Sequence, residues 1–266
     1  HKEYRRQRQM CIRDRSNTHP CFGAYYSATY NSLIGLRIDA TFGKVSGDDN
    51  PTGARLASAA IIDKSNVRQN RNLRFQSKIN EINLLAEFHP FGLISSYIDE
   101  EGNGPSVSPY LVGGIGYFSF NPQAINDKTG ELVDLQPLCT EGQGLREYPD
   151  RKPYSLRQMN LPMGLGVKFN VSNTIRVRTE FIYRKLFTDY LDDVSTTYIS
   201  PSAYTANGFD GTKYFDALDM NNRELIKYSV PGGRRGNPIS KDSYFSFNLK
   251  VGISIDALMG YGDFSY

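Results

Sequence analysis

The chain has 266 residues, enough for one barrel domain, with 31 Lys+Arg against 28 Asp+Glu, 18 Tyr, 15 Phe and no Trp. It contains no run of 18 apolar residues, which excludes a transmembrane helix, and its three cysteines give neither a disulfide framework nor paired zinc spacing. A mean hydropathy of -0.47 leaves a membrane barrel open, because a barrel strand offers only every second residue to lipid and its loops are polar.

The first segment, His1–Ser16 (HKEYRRQRQMCIRDRS), has no apolar alternation and no signal-peptide core. Its run RQRQMCIRDRS reads like translated sequencing-adapter sequence, so residues 1–16 are taken as non-native rather than as a genuine basic tail. Residues 1–15 hold six Lys/Arg and two Asp/Glu; without them the net charge moves from +3 to −1. The basic balance therefore belongs to that segment and does not point to nucleic acid.

Period-two patterning begins at Cys21–Tyr30, where Phe22, Ala24, Tyr26, Ala28 and Tyr30 alternate with small or polar residues. After a tight Asn31-Ser32 turn, Ile34, Leu36, Ile38, Ala40 and Phe42 alternate with Gly35, Arg37, Asp39, Thr41 and Gly43. A polar connection, Val45–Leu73, follows. Next, Ile82, Leu84, Ala86 and Phe88 face away from Glu81, Asn83 and Glu87. Pro90–Pro105 leads to Ser108–Phe120, a strand less cleanly two-faced, and then to a long loop at Asn121–Pro153. The longest pattern is the hairpin Leu156–Tyr190, turned at Val171-Ser172-Asn173. Its first strand presents Met159, Leu161, Met163, Leu165, Val167 and Phe169 on one face. Its second presents Ile175, Val177, Thr179, Phe181 and Tyr183 against Arg176, Arg178, Glu180, Ile182 and Arg184. A longer loop spans 191–240, and a last strand alternates Phe245, Phe247, Leu249, Val251, Ile253 and Ile255 with Ser246, Asn248, Lys250, Gly252 and Ser254.

Strands that keep their pattern for ten residues suit a tilted crossing of a bilayer, where ~9–11 residues are needed. Connections alternate between short and long, as in an up-and-down barrel with short periplasmic turns and long extracellular loops. The fold expected is therefore all-β, an up-and-down antiparallel transmembrane β-barrel over residues 17–256, followed by a C-terminal tail at 257–266. Seven strands are legible and such barrels have an even number, so the first strand of eight is expected to be lost or altered at the N-terminus. The alternative is a soluble lipocalin-like barrel with its apolar face inward; strand length and the charge-bearing face argue against it. Turning the apolar face to lipid places Arg37, Asp39, Glu81, Glu87, Lys168, Arg176, Arg178, Glu180, Arg184 and Lys250 in the lumen, six cations and four anions. An eight-strand lumen is just wide enough for side chains to fill, so these charges are expected to form a plug of crossed ion pairs rather than an ion pathway.

The search for chemistry finds no Ser/His/Asp set and no zinc-ligand spacing. Of the histidines, His89 sits at a strand end and is read as interfacial. Asp189, Asp192 and Asp193 could offer oxygens to calcium, but such a run in a loop is more often turn-forming and solvated, and that is the expectation. Arg234 and Arg235, in a Gly-rich stretch, are likewise expected in a solvated loop, the alternative being lipopolysaccharide phosphates or an acidic partner. No catalytic, cofactor or metal residue is assigned, and a membrane-embedded enzyme lacks its residues here.

Four segments carry a resemblance: SPYLVGGIGYFSFNP (108–122), VDLQPLCTEGQGL (133–145), YRKLFTDYLDDVSTTY (183–198) and RGNP…KDSYF (235–245). Together they resemble the outer-membrane barrel family that includes PorG of the type IX secretion system, over roughly residues 19–256; Cys139 departs from its motif. The loop residues that carry the resemblance include Asp134, Gln136, Glu141, Gln143, Asp189, Asp192, Asp193 and Arg235. The resemblance implies an eight-strand, non-enzymatic barrel in the bacterial outer membrane, without cofactor, in contact with outer-membrane lipid. It also implies a part in protein secretion beside the periplasmic ring of PorK and PorN. The other function in play is a general small barrel that supports the membrane or adheres through its loops.

Overall fold

A computed structural model of the chain describes residues 18–30, 33–49, 70–93, 106–172 and 174–254. The expectations for residues 1–16 and 257–266, for the Asn31-Ser32 turn and for most of the first long connection lie outside them. The described strands are β1 (Phe22–Thr29), β2 (Ile34–Asp48), β3 (Arg74–Phe88), β4 (Val107–Ile125), β5 (Leu132–Asp134), β6 (Arg157–Asn170), β7 (Ile175–Leu186) and β8 (Ser243–Ile253). Two short helices, α1 (Pro201–Ala206) and α2 (Gly211–Asn221), lie between β7 and β8.

All eight strands form one antiparallel, curled sheet in the order β1-β2-β3-β4-β6-β7-β8, with β5 pairing the end of β4. The protein is thus all-β with little helix, and its seven long strands follow the order of the seven sequence patterns. β1 and β8 are the two edges. Their side chains meet across the gap: Lys250 Nζ lies 5.3 Å from the Tyr25 ring centroid, and a Cβ at Gly252 would strike the Tyr25 hydroxyl.

β2, β3 and β4 run beyond the stretches their alternation announced. β3 begins at Arg74, and β4 continues to Ile125. Period two persists over the added length, but the polarity of the two faces is exchanged. Low on β3, Ile82 and Leu84 point outward while Glu81, Asn83 and Glu87 are buried. Higher up, Lys78 and Asn80 point outward and Ile79 is buried; on β4, Phe118, Phe120 and Ala124 are buried while Ser119, Asn121 and Gln123 point out.

This reversal reflects what lies inside the curl at each level. The upper interior holds Ile79, Phe118, Phe120, Tyr154, Leu186 and Leu191 as one apolar cluster, with Tyr154 stacked 4.6 Å from Tyr190 and 6.2 Å from Phe120. Above it the long connections fold into a cap with its own core, in which Leu135, Leu138, Leu145, Ile199, Tyr204 and Met220 pack together. Lower down, Leu85, Tyr110, Val112 and Ile182 form a smaller apolar layer between two charged ones. The long connections are therefore folded structure over their described length, where the sequence reading expected loops.

Candidate functional site: the charged interior and the cap

The inward positions of β2, β3, β7 and β8 bring eight of the ten expected interior charges into ion pairs. Toward the short-turn end, Arg37 is 1 % exposed; its guanidinium lies 3.1 Å from Asp39, donates to Glu87 at 2.8 Å and also donates to Glu180. Arg178 donates to the same Glu87 oxygen at 2.5 Å and to Ser27 at 3.2 Å. Lys250 closes the set, 2.6 Å from Asp39 and 3.1 Å from Glu180, and the Tyr110 hydroxyl donates to Glu180. Three cations and three carboxylates thus share one buried cluster. Burial of charge is tolerable on these terms, since each ion faces an opposite one.

A second, separate layer holds Glu81. Arg184 Nε meets its two carboxylate oxygens at 2.9 and 2.7 Å, Asn160 donates to it at 2.6 Å, and Arg184 also reaches Ser246 at 2.9 Å. Gly116 is required here: a Cβ on it would overlap the side-chain oxygens of Asn83 and Asn160. The sequence reading missed Tyr110 and Asn160, although both fall on inward positions of their strands.

Two of the ten expected charges depart from the plug. Lys168 and Arg176 are only partly buried, and among the described residues neither has a carboxylate partner. Arg176 is expected to join the crossed ion pairs, but it stands two inward steps beyond Glu180, the last carboxylate of β7, toward the turn at 171–174. His89 also departs from expectation. It is buried rather than interfacial, because it continues the inward alternation of β3: its Nε2 lies 3.2 Å from Glu87 and its ring 5.2 Å from that of Tyr110.

In the cap, two of the loop residues singled out from sequence, Glu141 and Asp193, meet around the Arg235 guanidinium; Gln143 and Asp189 join the same network through the Glu141 amide and Ser195, while Asp134 and Gln136 bond elsewhere. Arg235 is 4 % exposed and donates to Glu141 at 2.9 Å and to the backbone carbonyls of Asp193, Met220 and Asn221. Glu141 also accepts from the Ser195 amide at 2.9 Å and from the Thr196 amide and hydroxyl, each at 2.7 Å. Asp193 accepts from Tyr154 at 2.7 Å and from Thr140, and takes a left-handed backbone with φ 62° that aspartate tolerates better than most residues. Asp189 accepts from Ser195 at 2.5 Å and Lys241 at 3.0 Å. Gly236 passes so close to the Ser195 backbone that a Cβ would come within 2.6 Å. Gln143 turns back to the Glu141 amide at 3.0 Å, Gln136 donates to the Tyr154 carbonyl at 3.2 Å, and Asp134 accepts from Asn121 and Gln123.

Two expectations are therefore corrected. Asp189 and Asp193 are buried, with Asp192 half-buried, rather than solvated, because the segment is held between residues 140–154 and 235–242. Arg235 is a buried tie between three loops, whereas neighbouring Arg234 is exposed and bonds locally to the Gly236 carbonyl. Burial raises the Asp193 carboxyl to about 6, against the pull of Arg235 and its two hydrogen-bond donors. Burial also raises Asp242 to about 7, helped by the charge of Asp189, and raises Asp192, which faces Asp242. Among the described residues no group of three or more His, Cys, Asp or Glu is arranged to hold a metal ion.

A curled antiparallel sheet with charges paired inside it and apolar side chains outside defines a barrel-like, all-β protein. The chain belongs to the DUF6089 family, a domain of unknown function, whose family model matches residues 50–205. That span runs from just after β2 into α1 and includes Glu81, Glu87, Glu141, Arg178, Glu180, Arg184 and Asp193, while Arg37, Asp39, Arg235 and Lys250 lie outside it. No curated protein and no solved structure matches the chain.

Proposed function

We propose that this protein is a non-enzymatic β-barrel of the bacterial outer membrane, and that it serves as an accessory of type IX protein secretion beside the periplasmic PorK/PorN ring. The observation that carries the membrane reading is the outward apolar belt. On β8, Phe247, Leu249, Val251 and Ile253 are each at least 63 % exposed, and the belt continues through Leu165 and Met163 on β6, Leu111 and Ile115 on β4 and Leu36 and Ile38 on β2. Exposed apolar surface of this extent marks a partner or a membrane. On β7 the belt covers nine residues, 175–183, and on β6 eleven, 159–169. At ~3.3 Å per residue and ~40° of tilt that is roughly 20–25 Å, close to the height of an outer-membrane apolar band.

The belt's long-loop boundary supports the same reading. Phe22 pairs with Phe42 across β1 and β2, and Tyr183 with Phe245 across β7 and β8, while Tyr117 stands at the corresponding level of β4. Beyond this aromatic level the outward residues become Lys44, Asn80, Ser119, Arg157 and Lys185. Aromatic girdles at both edges of an apolar band are a feature of outer-membrane barrels. The long connections then lie on the cell exterior and the short turns in the periplasm. The secretion role rests on the four resembling segments, three of which contribute to the cap network. A second reading, a general barrel that adheres through its exterior, is favoured by Phe215, Val230 and Ile239, which the cap leaves at least 60 % exposed.

The test has two parts. Cysteine labelling of intact cells should modify a cysteine placed at Gly208 and spare one at Ser172; the opposite pattern would invert the barrel. A native pull-down should recover the ring lipoprotein, and a barrel that inserts correctly yet recovers no ring component would replace the secretion role with the adhesive one.

A further inference from the structure

Among the described residues the interior charges do not balance, and the imbalance is local. Arg37, Arg178 and Lys250 are matched by Asp39, Glu87 and Glu180, and Arg184 by Glu81. Lys168 and Arg176 remain. Register places them together: Lys168 pairs with Arg178, and Arg176 lies two residues from Arg178 on the same face of β7. Diagonal neighbours of this kind have backbones ~7–8 Å apart, within reach of two long side chains that converge on one group. Like charges directly opposite each other on a sheet are destabilising, and Lys168 opposite Arg178 is such a pair.

Buried polar atoms without partners lie at the same end. Arg178, itself 3 % exposed, has its Nε donor buried and without a hydrogen-bond partner, and the buried Nδ1 of His89 is likewise unpartnered. His89 approaches Tyr110, which pairs with Gly166, one inward step from Lys168. The buried Ser108 pairs with Lys168 from the β4 side. Each carboxylate nearby is already engaged, and Glu87 is shared by Arg37, Arg178 and His89.

We propose that the short-turn end of the lumen is an anion site that takes a phosphate group, held by Lys168 and Arg176 with Arg178 behind them. Two unmatched cations call for a dianion, which a phosphate supplies and a single carboxylate does not. An Arg fork and a Lys point charge are the usual pair for such a group. Lys168 and Arg176 are partly exposed, so the site opens toward the short turns rather than being sealed. This goes beyond the membrane and secretion reading and does not depend on it.

The test uses the full chain refolded in a maltoside detergent, which carries no phosphate. Inorganic phosphate is titrated by calorimetry in one arm, and phosphatidic acid doped into the micelles in the other. Saturable one-to-one binding is expected, weakened at least tenfold by Lys168→Gln or Arg176→Gln, lost in the double variant, and unchanged by Lys185→Gln on the outer face. Binding of inorganic phosphate identifies a soluble ligand, and binding of phosphatidic acid alone identifies a lipid headgroup; both support the site. In phosphate-free buffer the single variants should unfold at the same or higher denaturant than the parent, since a repelling charge has been removed. Absence of binding in both arms, undiminished binding in the double variant, or lower stability of both single variants without phosphate would overturn the proposal.

Discussion

Removing Arg235 tests whether the cap is a folded unit held by one buried cation. In Arg235→Ala, four acceptors lose a donor: the Glu141 carboxylate and the carbonyls of Asp193, Met220 and Asn221. Glu141 keeps its three bonds from Ser195 and Thr196, so its charge is not abandoned, but it loses its only ion-pair partner among the described residues. Breaking a buried pair by deleting one partner costs ~3–5 kcal/mol, and the three retained bonds to Glu141 place the expected loss near the lower end, about 3 kcal/mol. The loss should be local. Hydrogen exchange of the Ser195 and Thr196 amides should accelerate by roughly two orders of magnitude, while amides of β6 and β7 keep their protection. Arg235→Lys should fall between, since an ammonium retains the charge but cannot reach Glu141 and three carbonyls with one planar fork. Exchange at Ser195 and Thr196 unchanged in Arg235→Ala would refute the idea that this guanidinium ties the loops together.

Other outcomes follow from the belt, the interior and the cap. Leu165→Arg and Leu249→Arg, both outward and more than half exposed, should each destabilise the refolded protein by ~2–4 kcal/mol in a bilayer, whereas in a soluble protein such surface changes would be nearly neutral; urea titration in vesicles separates the two. Glu81→Ala leaves Arg184 buried without its carboxylate and should cost ~3–5 kcal/mol in the same assay, and double replacement with Arg184→Met should recover much of that loss. The cap should grow more stable on acidification. An unfolded aspartate ionises near 4, but Asp193 and Asp242 hold their protons to about 6 and about 7, so between pH 4 and 7 the folded state binds more protons and stability falls as pH rises. The protection factor of the Leu191 amide, which donates to Asp242, taken relative to the intrinsic exchange rate at each pH, should therefore be larger at pH 5 than at pH 8, and Asp242→Asn should flatten the difference. Asp189, Asp192, Lys241, Arg71 and Arg235 surround this pair of carboxyls and set the residual slope.

The legible part of this protein was the part in which one face is wholly apolar. From Ile175 to Tyr183 and from Phe245 to Ile253 the alternation follows directly from the strand period, and the inward charges are the complement of the outward apolar row. Higher on β3 and β4 the same period is present with its polarity exchanged. A reading that follows apolar residues then loses the strand, because Ile79 and Lys78 have swapped roles relative to Ile82 and Glu81. The helix α2 carried a weaker signal: Tyr214, Ala217 and Met220 recur at helical spacing, but over only three turns inside a polar stretch.

Composition and period alone determined that the chain makes long antiparallel strands, that one face of each is apolar over about ten residues, and that six cations and four anions share the other face. These follow from backbone geometry and from which side chains can share a face. Partnership was decided only by the tertiary structure. Arg37 meets Glu87 and Glu180 from strands 50 and 143 residues away in sequence, and Arg235 meets Glu141 across 94. Nothing local distinguishes those residues from Arg176 or Arg234, which find no such partner among the described residues. Pairing depends on the registers and on how far the sheet curls, quantities fixed by packing of the whole interior rather than by any segment of it.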